Sequence, residues 1–145
     1  MSEGLAAEIL RGAMSEENVE FVLKAMQEFE AAGGPEPERW HKDGVLTAPS
    51  GWPEQGPFVG RPAIMRQFER LVGDFSTFHS SNVEVIAEAE DWVVVAFRWH
   101  TRGAHSGIEG TWEMAAAFRV KDGRFIEAHY RWERKKALEA AGLSE

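Results

Sequence analysis

The chain has 145 residues, with 16 Lys and Arg against 24 Asp and Glu, for a formal net charge of −8. That length suits one domain with a real core, and 43% hydrophobic with 28% charged residues excludes wholesale disorder. The absence of Cys removes disulfide scaffolds, thiolate metal sites and cysteine nucleophiles, and the acidic balance speaks against a nucleic-acid partner.

The first residues, Met1-Ser2-Glu3, lack the basic start and long apolar stretch of a secretory signal. No apolar run reaches the roughly 18 residues of a membrane span. A cytoplasmic location without a membrane partner is the default expectation. Residues 1–13 read as an N-terminal extension and 14–143 as a single domain. Ser15 suits a helix N-cap, with Glu16 and Glu17 at the positive end of the dipole. Val19, Val22, Leu23, Met26 and Phe29 then fall at helical spacing, and Gly33-Gly34-Pro35 ends the helix. Pro37 opens a short second helix through Trp40, and a brief strand covers 45–48. After a Pro- and Gly-rich loop, Pro62 opens a third helix that carries Ile64, Met65, Phe68, Leu71 and Val72 on one face.

From Phe75 the apolar period becomes two, which predicts four long strands at 77–88, 92–102, 108–121 and 124–132. A short helix over 133–141 closes the chain at Gly142. Helices followed by hairpins make the class α+β with an antiparallel sheet.

Hairpin register can be chosen by asking which pairing separates apolar from polar faces. Trp99 opposite Trp112 places Phe97, Val95 and Val93 against Met114, Ala116 and Phe118. The other face then pairs Arg98 with Glu113, His100 with Thr111 and Arg102 with Glu109. For the last hairpin, a three-residue Lys121-Asp122-Gly123 loop pairs Val120 with Arg124, Met114 with Tyr130 and Trp112 with Trp132. It also aligns Arg98, Glu113 and Arg131 in a row and leaves Phe125 outside. For the first hairpin, Val83, Val85 and Ala87 oppose Phe97, Val95 and Val93, a parity that carries Ser81 and His79 inward. One face is strongly aromatic and holds no carboxylate. The other joins charges to an apolar strip of Trp92, Val94, Ala96, Ala115 and Ala117, which suits a second sheet or subunit.

Several segments resemble a known family. They are Met14-Ser15-Glu16-Glu17-Asn18-Val19-Glu20, His41-Lys42-Asp43-Gly44-Val45-Leu46, Trp52-Pro53-Glu54 followed by Phe58-Val59-Gly60-Arg61, the run from Phe118 to Phe125, and Lys136-Ala137-Leu138-Glu139-Ala140-Ala141-Gly142-Leu143. In order and spacing they resemble the SnoaL-like, ketosteroid-isomerase-like branch of the nuclear transport factor 2-like fold. The resemblance implies a cone-shaped α+β barrel, with a curved sheet wrapped around three N-terminal helices, a deep apolar pocket and a homodimer through the outer sheet face. It implies isomerase, polyketide-cyclase, epoxide-hydrolase or dehydratase chemistry. The catalytic residues of the ketosteroid isomerases do not carry over: Ala48 and Ala116 stand where that pattern has carboxylates, and the first helix has no Tyr.

Six Trp beside one Tyr is the unusual feature of the composition. Trp40, Trp52, Phe58, Met65, Trp99, Trp112, Met114 and Trp132 are the expected walls of a pocket for a hydrophobic or aromatic molecule, with a bulky core as the alternative. His79 is the candidate general acid/base, or else a hydrogen-bonded histidine at the rim. Tyr130 is the candidate oxyanion donor, or else a buried Tyr bonded to backbone. Arg98, His100, Glu113, His129 and Arg131 are read as dimer contacts, and His41 as a helix C-terminal cap. No HExxH or helical His pair is present, so neither metal nor cofactor is expected. Two functions remain open beside an acid–base enzyme: a non-catalytic small-molecule binding module and a dimeric interaction domain.

Overall fold

The computed structural model describes the backbone of residues 2–143 and the side chains of residues 16–143. The first helix, α1, spans Ser2–Ala32, so Ser15 lies inside it rather than at a cap, and the expected boundary at residues 13 and 14 falls within one helix. Its end is a Schellman turn: Gly33 takes φ of 74°, Gly34 N–H donates to Phe29 O at 3.1 Å, and Gly33 N–H to Glu30 O at 3.2 Å. That turn fixes Phe29 and Glu30 on the last turn of α1. The expected second helix is a single 3₁₀ turn, Pro37–Arg39. Trp40 already belongs to strand β1, Trp40–Thr47. His41 therefore sits in a strand and caps no helix; its Nδ1 accepts the Asp43 N–H at 3.1 Å. Next come β2, Phe58–Val59, and α2, Arg61–Gly73. Strands β3, Phe75–Ala89, β4, Trp92–Gly103, β5, Glu109–Lys121, and β6, Arg124–Arg131, lead to helix α3, Arg134–Ala140.

The strands form one curved sheet in the order β2-β1-β6-β5-β4-β3. The α+β architecture holds, but the sheet is mixed and open: β1 runs parallel to β6, and β2 and β3 remain edges. The concave face carries the main core. Val93, Val95, Phe97, Ala116 and Phe118 meet Val22 and Ala25 of α1 and Ile64 and Phe68 of α2. Among the described residues no helix is long and apolar enough to cross a membrane.

The β4–β5 register is the expected one throughout, and Arg98–Glu113 and Arg102–Glu109 close to 3.1 and 3.9 Å. The β5–β6 register differs. Asp122 and Gly123 both take positive φ, 53° and 71°, and make a two-residue turn pairing Lys121 with Arg124. A bulge beyond Val120–Phe125 then restores the parity, so the tight turn and the separated faces coexist. Phe125 consequently points inward, Tyr130 opposes Ala116, and Arg131 opposes Ala115. The expected charged row stops at Arg98–Glu113, because Arg131 turns to the Thr47 hydroxyl at 2.8 Å.

In β3 the shifts between Ser81 and Glu84 and between Val85 and Ala87 each reverse the alternation. Asn82 adopts φ of 52° inside the first. Phe78 and Ser80 therefore face inward, while His79 faces outward and stacks on His100 with centroids 4.6 Å apart. The apolar strip on the outer face is covered by this chain's own α3: Ala137 and Ala141 pack on Val94, Ala96, Ala115 and Ala117. That segment needs no second sheet or subunit to bury it.

Candidate functional site

The last turn of α1, one face of α2 and the concave sheet enclose a cavity of about 110 Å³. Its walls are mostly apolar, including Met26, Phe29, Phe68, Phe97, Met114 and Phe118. Such a wall binds by burial and leaves orientation to a few polar groups. The polar groups are Glu30, Glu36, Arg39, Gln67, Ser80 and Tyr130.

Tyr130 is placed by β6, with its ring edge-on to Phe118 at 5.8 Å. Its remaining accessible surface is cavity wall, deep enough that burial raises the phenol above its ordinary value of 10.0. The hydroxyl thus stays protonated at neutral pH and has no hydrogen-bond partner among the described residues. A phenol in this state donates to whatever acceptor enters.

Glu30 comes from the Schellman turn. Strand β3 is an edge, and its Ser80 N–H, unpaired in the sheet, donates to Glu30 Oε1. One carboxylate oxygen thereby latches α1 to the edge strand. The group nevertheless lines the cavity, and its other oxygen has no partner among the described residues. Glu36 is tied to Arg39 at 3.2 Å, and Arg39 also pairs with Glu28.

Beyond Trp52 and Trp99, which line both spaces, lies a wider vestibule of about 430 Å³. Trp112, Trp132, Phe75, Arg70, Glu54 and Asp74 complete its walls. Trp132 Nε1 donates to Ser50 O at 2.7 Å and Trp112 Nε1 to Thr101 Oγ1 at 3.3 Å, which holds both indoles in place. Gly110 makes room for Trp112: a Cβ there would stand 3.0 Å from the indole nitrogen.

A family model for the SnoaL-like domain matches residues 22–128. The chain belongs to the SnoaL-like family. Bal32a, from a soil-derived mobile gene cassette, is similar in structure, with 22% identity, 81% of this chain and 89% of that chain covered, and a TM-score of 0.68. An NTF2-like protein from Anabaena variabilis shares 19% identity over 85% of this chain and 89% of its own, with a TM-score of 0.68. SalBIII, an epoxide hydrolase/cyclase-like enzyme in pyran ring formation in the polyether salinomycin, shares 14% identity over 81% and 92%, with a TM-score of 0.64. At these identities the likeness is one of fold. No curated protein sequence matches the chain.

The residues expected at the site divide clearly. Trp40, Trp52, Trp99, Met114 and Tyr130 line the cavity, and Trp112 and Trp132 line the vestibule. Phe58 and Met65 pack against the core and line neither space. His79 lies on the opposite face of the sheet, moved there by the β3 bulge, so it cannot serve this cavity. Arg98, His100, Glu113, His129 and Arg131 all lie on the outer face. The sheet brings no carboxylate to the cavity, but Glu30 and Glu36 reach it from α1 and the segment after it. Helical spacing carries the signal for Glu30, which follows Val22 and Met26 at steps of four and so sits on the apolar stripe.

Proposed function

We propose that the cavity binds a hydrophobic or aromatic small molecule, one oxygen of which accepts a hydrogen bond from Tyr130. The observation that carries this is the Tyr130 hydroxyl, on a half-buried side chain that lines an apolar cavity and without a partner among the described residues, in a cavity that also holds a carboxylate. A donor that faces an apolar cavity with no partner in the protein is free to bond an acceptor that enters. Family membership supports a small-molecule pocket.

Glu30 and Tyr130 are the acid–base pair of this proposal. Glu30 takes a proton from carbon or water, and Tyr130 steadies the oxygen on which negative charge develops. That is isomerase- or cyclase-type chemistry. His79 has no part in it. A homodimer through the outer sheet face is a further proposal, resting on the exposed Arg98 and Glu113 beside the covered strip.

The test is a titration with 2-naphthol, a planar neutral molecule with one oxygen. Saturable quenching of tryptophan fluorescence and a raised melting temperature are expected. Absence of both overturns the pocket. For any compound that is turned over, Glu30→Gln keeps an oxygen for the Ser80 N–H but removes the base. It should lower kcat by roughly 10²–10⁴-fold. Unchanged turnover removes Glu30 from the chemistry.

A further inference from the structure

Four of the six Trp in the sequence wall one open space, which is more indole than a passage for a neutral molecule requires. We propose that this vestibule is a binding site for a small organic ammonium ion.

The ring geometry is the first support. Trp52 and Trp132 meet edge to face at 6.5 Å and 60°, Trp112 and Trp132 at 5.9 Å and 38°, and Phe75 and Trp99 at 5.3 Å and 85°. None of these is a parallel stack, so no pair covers both of its facing ring planes, although each edge-to-face contact occupies one face. Trp112 remains 46% exposed. An indole face carries negative potential, and several around one space form the arrangement that holds an alkylammonium group.

Charge is the second support. The vestibule's charged side chains are Glu54, Asp74 and Arg70. Arg70 is held by Glu54 at 3.0 Å, and Asp74 has no ion pair among the described residues. Deeper in, Glu30 and Glu36 outnumber Arg39. The net charge of −8 favours the approach of cations to the protein as a whole. Elsewhere the protein seats its own cations on rings, Arg39 over Phe21 at 5.7 Å and Arg119 over Trp92 at 6.0 Å. Among the described residues no such cation sits on the four vestibule indoles.

The inference goes beyond the cavity reading by assigning a positive charge to a ligand. It rests on a different space, shared only through Trp52, Trp99, Gln67 and Leu71.

Calorimetric titration of the full chain with choline, and with its uncharged isostere 3,3-dimethyl-1-butanol, tests it. Choline is expected to bind about fivefold or more tightly than the isostere. Trp112→Leu should weaken choline by about fivefold, Trp112→Phe should keep part of the affinity, and Asp74→Asn should weaken it about twofold. Melting curves confirm that each variant folds, which the exposure of Trp112 and Asp74 favours. Equal affinity for choline and the isostere overturns the proposal. So does choline binding that Trp112→Leu leaves unchanged, and so does no choline binding at all. A protein that binds 2-naphthol but ignores choline keeps the cavity and loses the ammonium site; the reverse result does the opposite.

Discussion

Phe118 and Arg119 are neighbours in β5, and their side chains leave opposite faces of one sheet. Phe118 enters the aromatic core, 5.2 Å from Phe125 and 5.8 Å from Tyr130. Arg119 joins a polar chain on the outer face, 2.7 Å from Asp91 and 3.0 Å from Glu127. Glu127 continues to His129 at 2.9 Å, and His129 to Thr47 at 2.7 Å. Toward the other end of β4, on the same face, His100 bonds Ser81 at 2.7 Å beside the stacked His79 ring. The polar groups outside thus answer one another, whereas inside Tyr130 has an unmatched hydroxyl and Glu30 an unmatched oxygen. Closed networks hold a structure together. Open groups in an apolar space are what a ligand can complete.

The largest effect that tests this contrast is Phe118→Ala. The side chain is 3% exposed and has aromatic neighbours on two sides, so truncation should cost about 3–5 kcal/mol in denaturant unfolding. A cost under about 1 kcal/mol would show that the concave wall is not close-packed there.

One position along, Arg119→Ala should cost only about 1 kcal/mol, because its two ion pairs reach solvent. Its pH signature is sharper. Burial pushes the Glu127 carboxyl up, but the hydrogen bonds from His129 and Arg119 more than offset that and hold it below the ordinary 4.5. A depressed carboxyl stabilises the fold above pH 4.5, and that contribution fades as pH falls through the lower folded value. Unfolding measured from pH 6 downward should show this slope, and Glu127→Gln should flatten it. A slope unaffected by Glu127→Gln would place the acid sensitivity elsewhere.

The two faces were unequally legible in the sequence. Strands β4 and β5 declared their register because alternation and two charge pairs agreed at every step. The last hairpin is harder, since a two-residue turn and separated faces look incompatible until a bulge is allowed at Ile126. In β3 the same blindness moved His79. The clue was Phe78, since a parity that buries His79 exposes a phenylalanine, which burial of apolar area opposes. Glu30 escapes a register argument, which orders strands alone, while helices α1 and α2 supply much of the cavity wall. The vestibule was partly visible as an excess of Trp. Its four indoles come from four separate stretches, and composition has no means of joining them.

The smallest expected effect separates the faces most cleanly. Tyr130→Phe removes an oxygen and leaves the ring packing in place. With no partner in the protein the hydroxyl gives the fold no bond, so stability should stay within about 0.5 kcal/mol. Binding of 2-naphthol should nevertheless weaken by about fivefold, the worth of one hydrogen bond near 1 kcal/mol. On the outer face the corresponding change, Thr47→Val, strips the bonded partners His129 and Arg131 and should register in stability instead. A loss above about 1 kcal/mol in Tyr130→Phe would show that the hydroxyl is bonded within the protein after all. The contrast between a closed outer face and an open inner one would then fail at the residue on which it depends most.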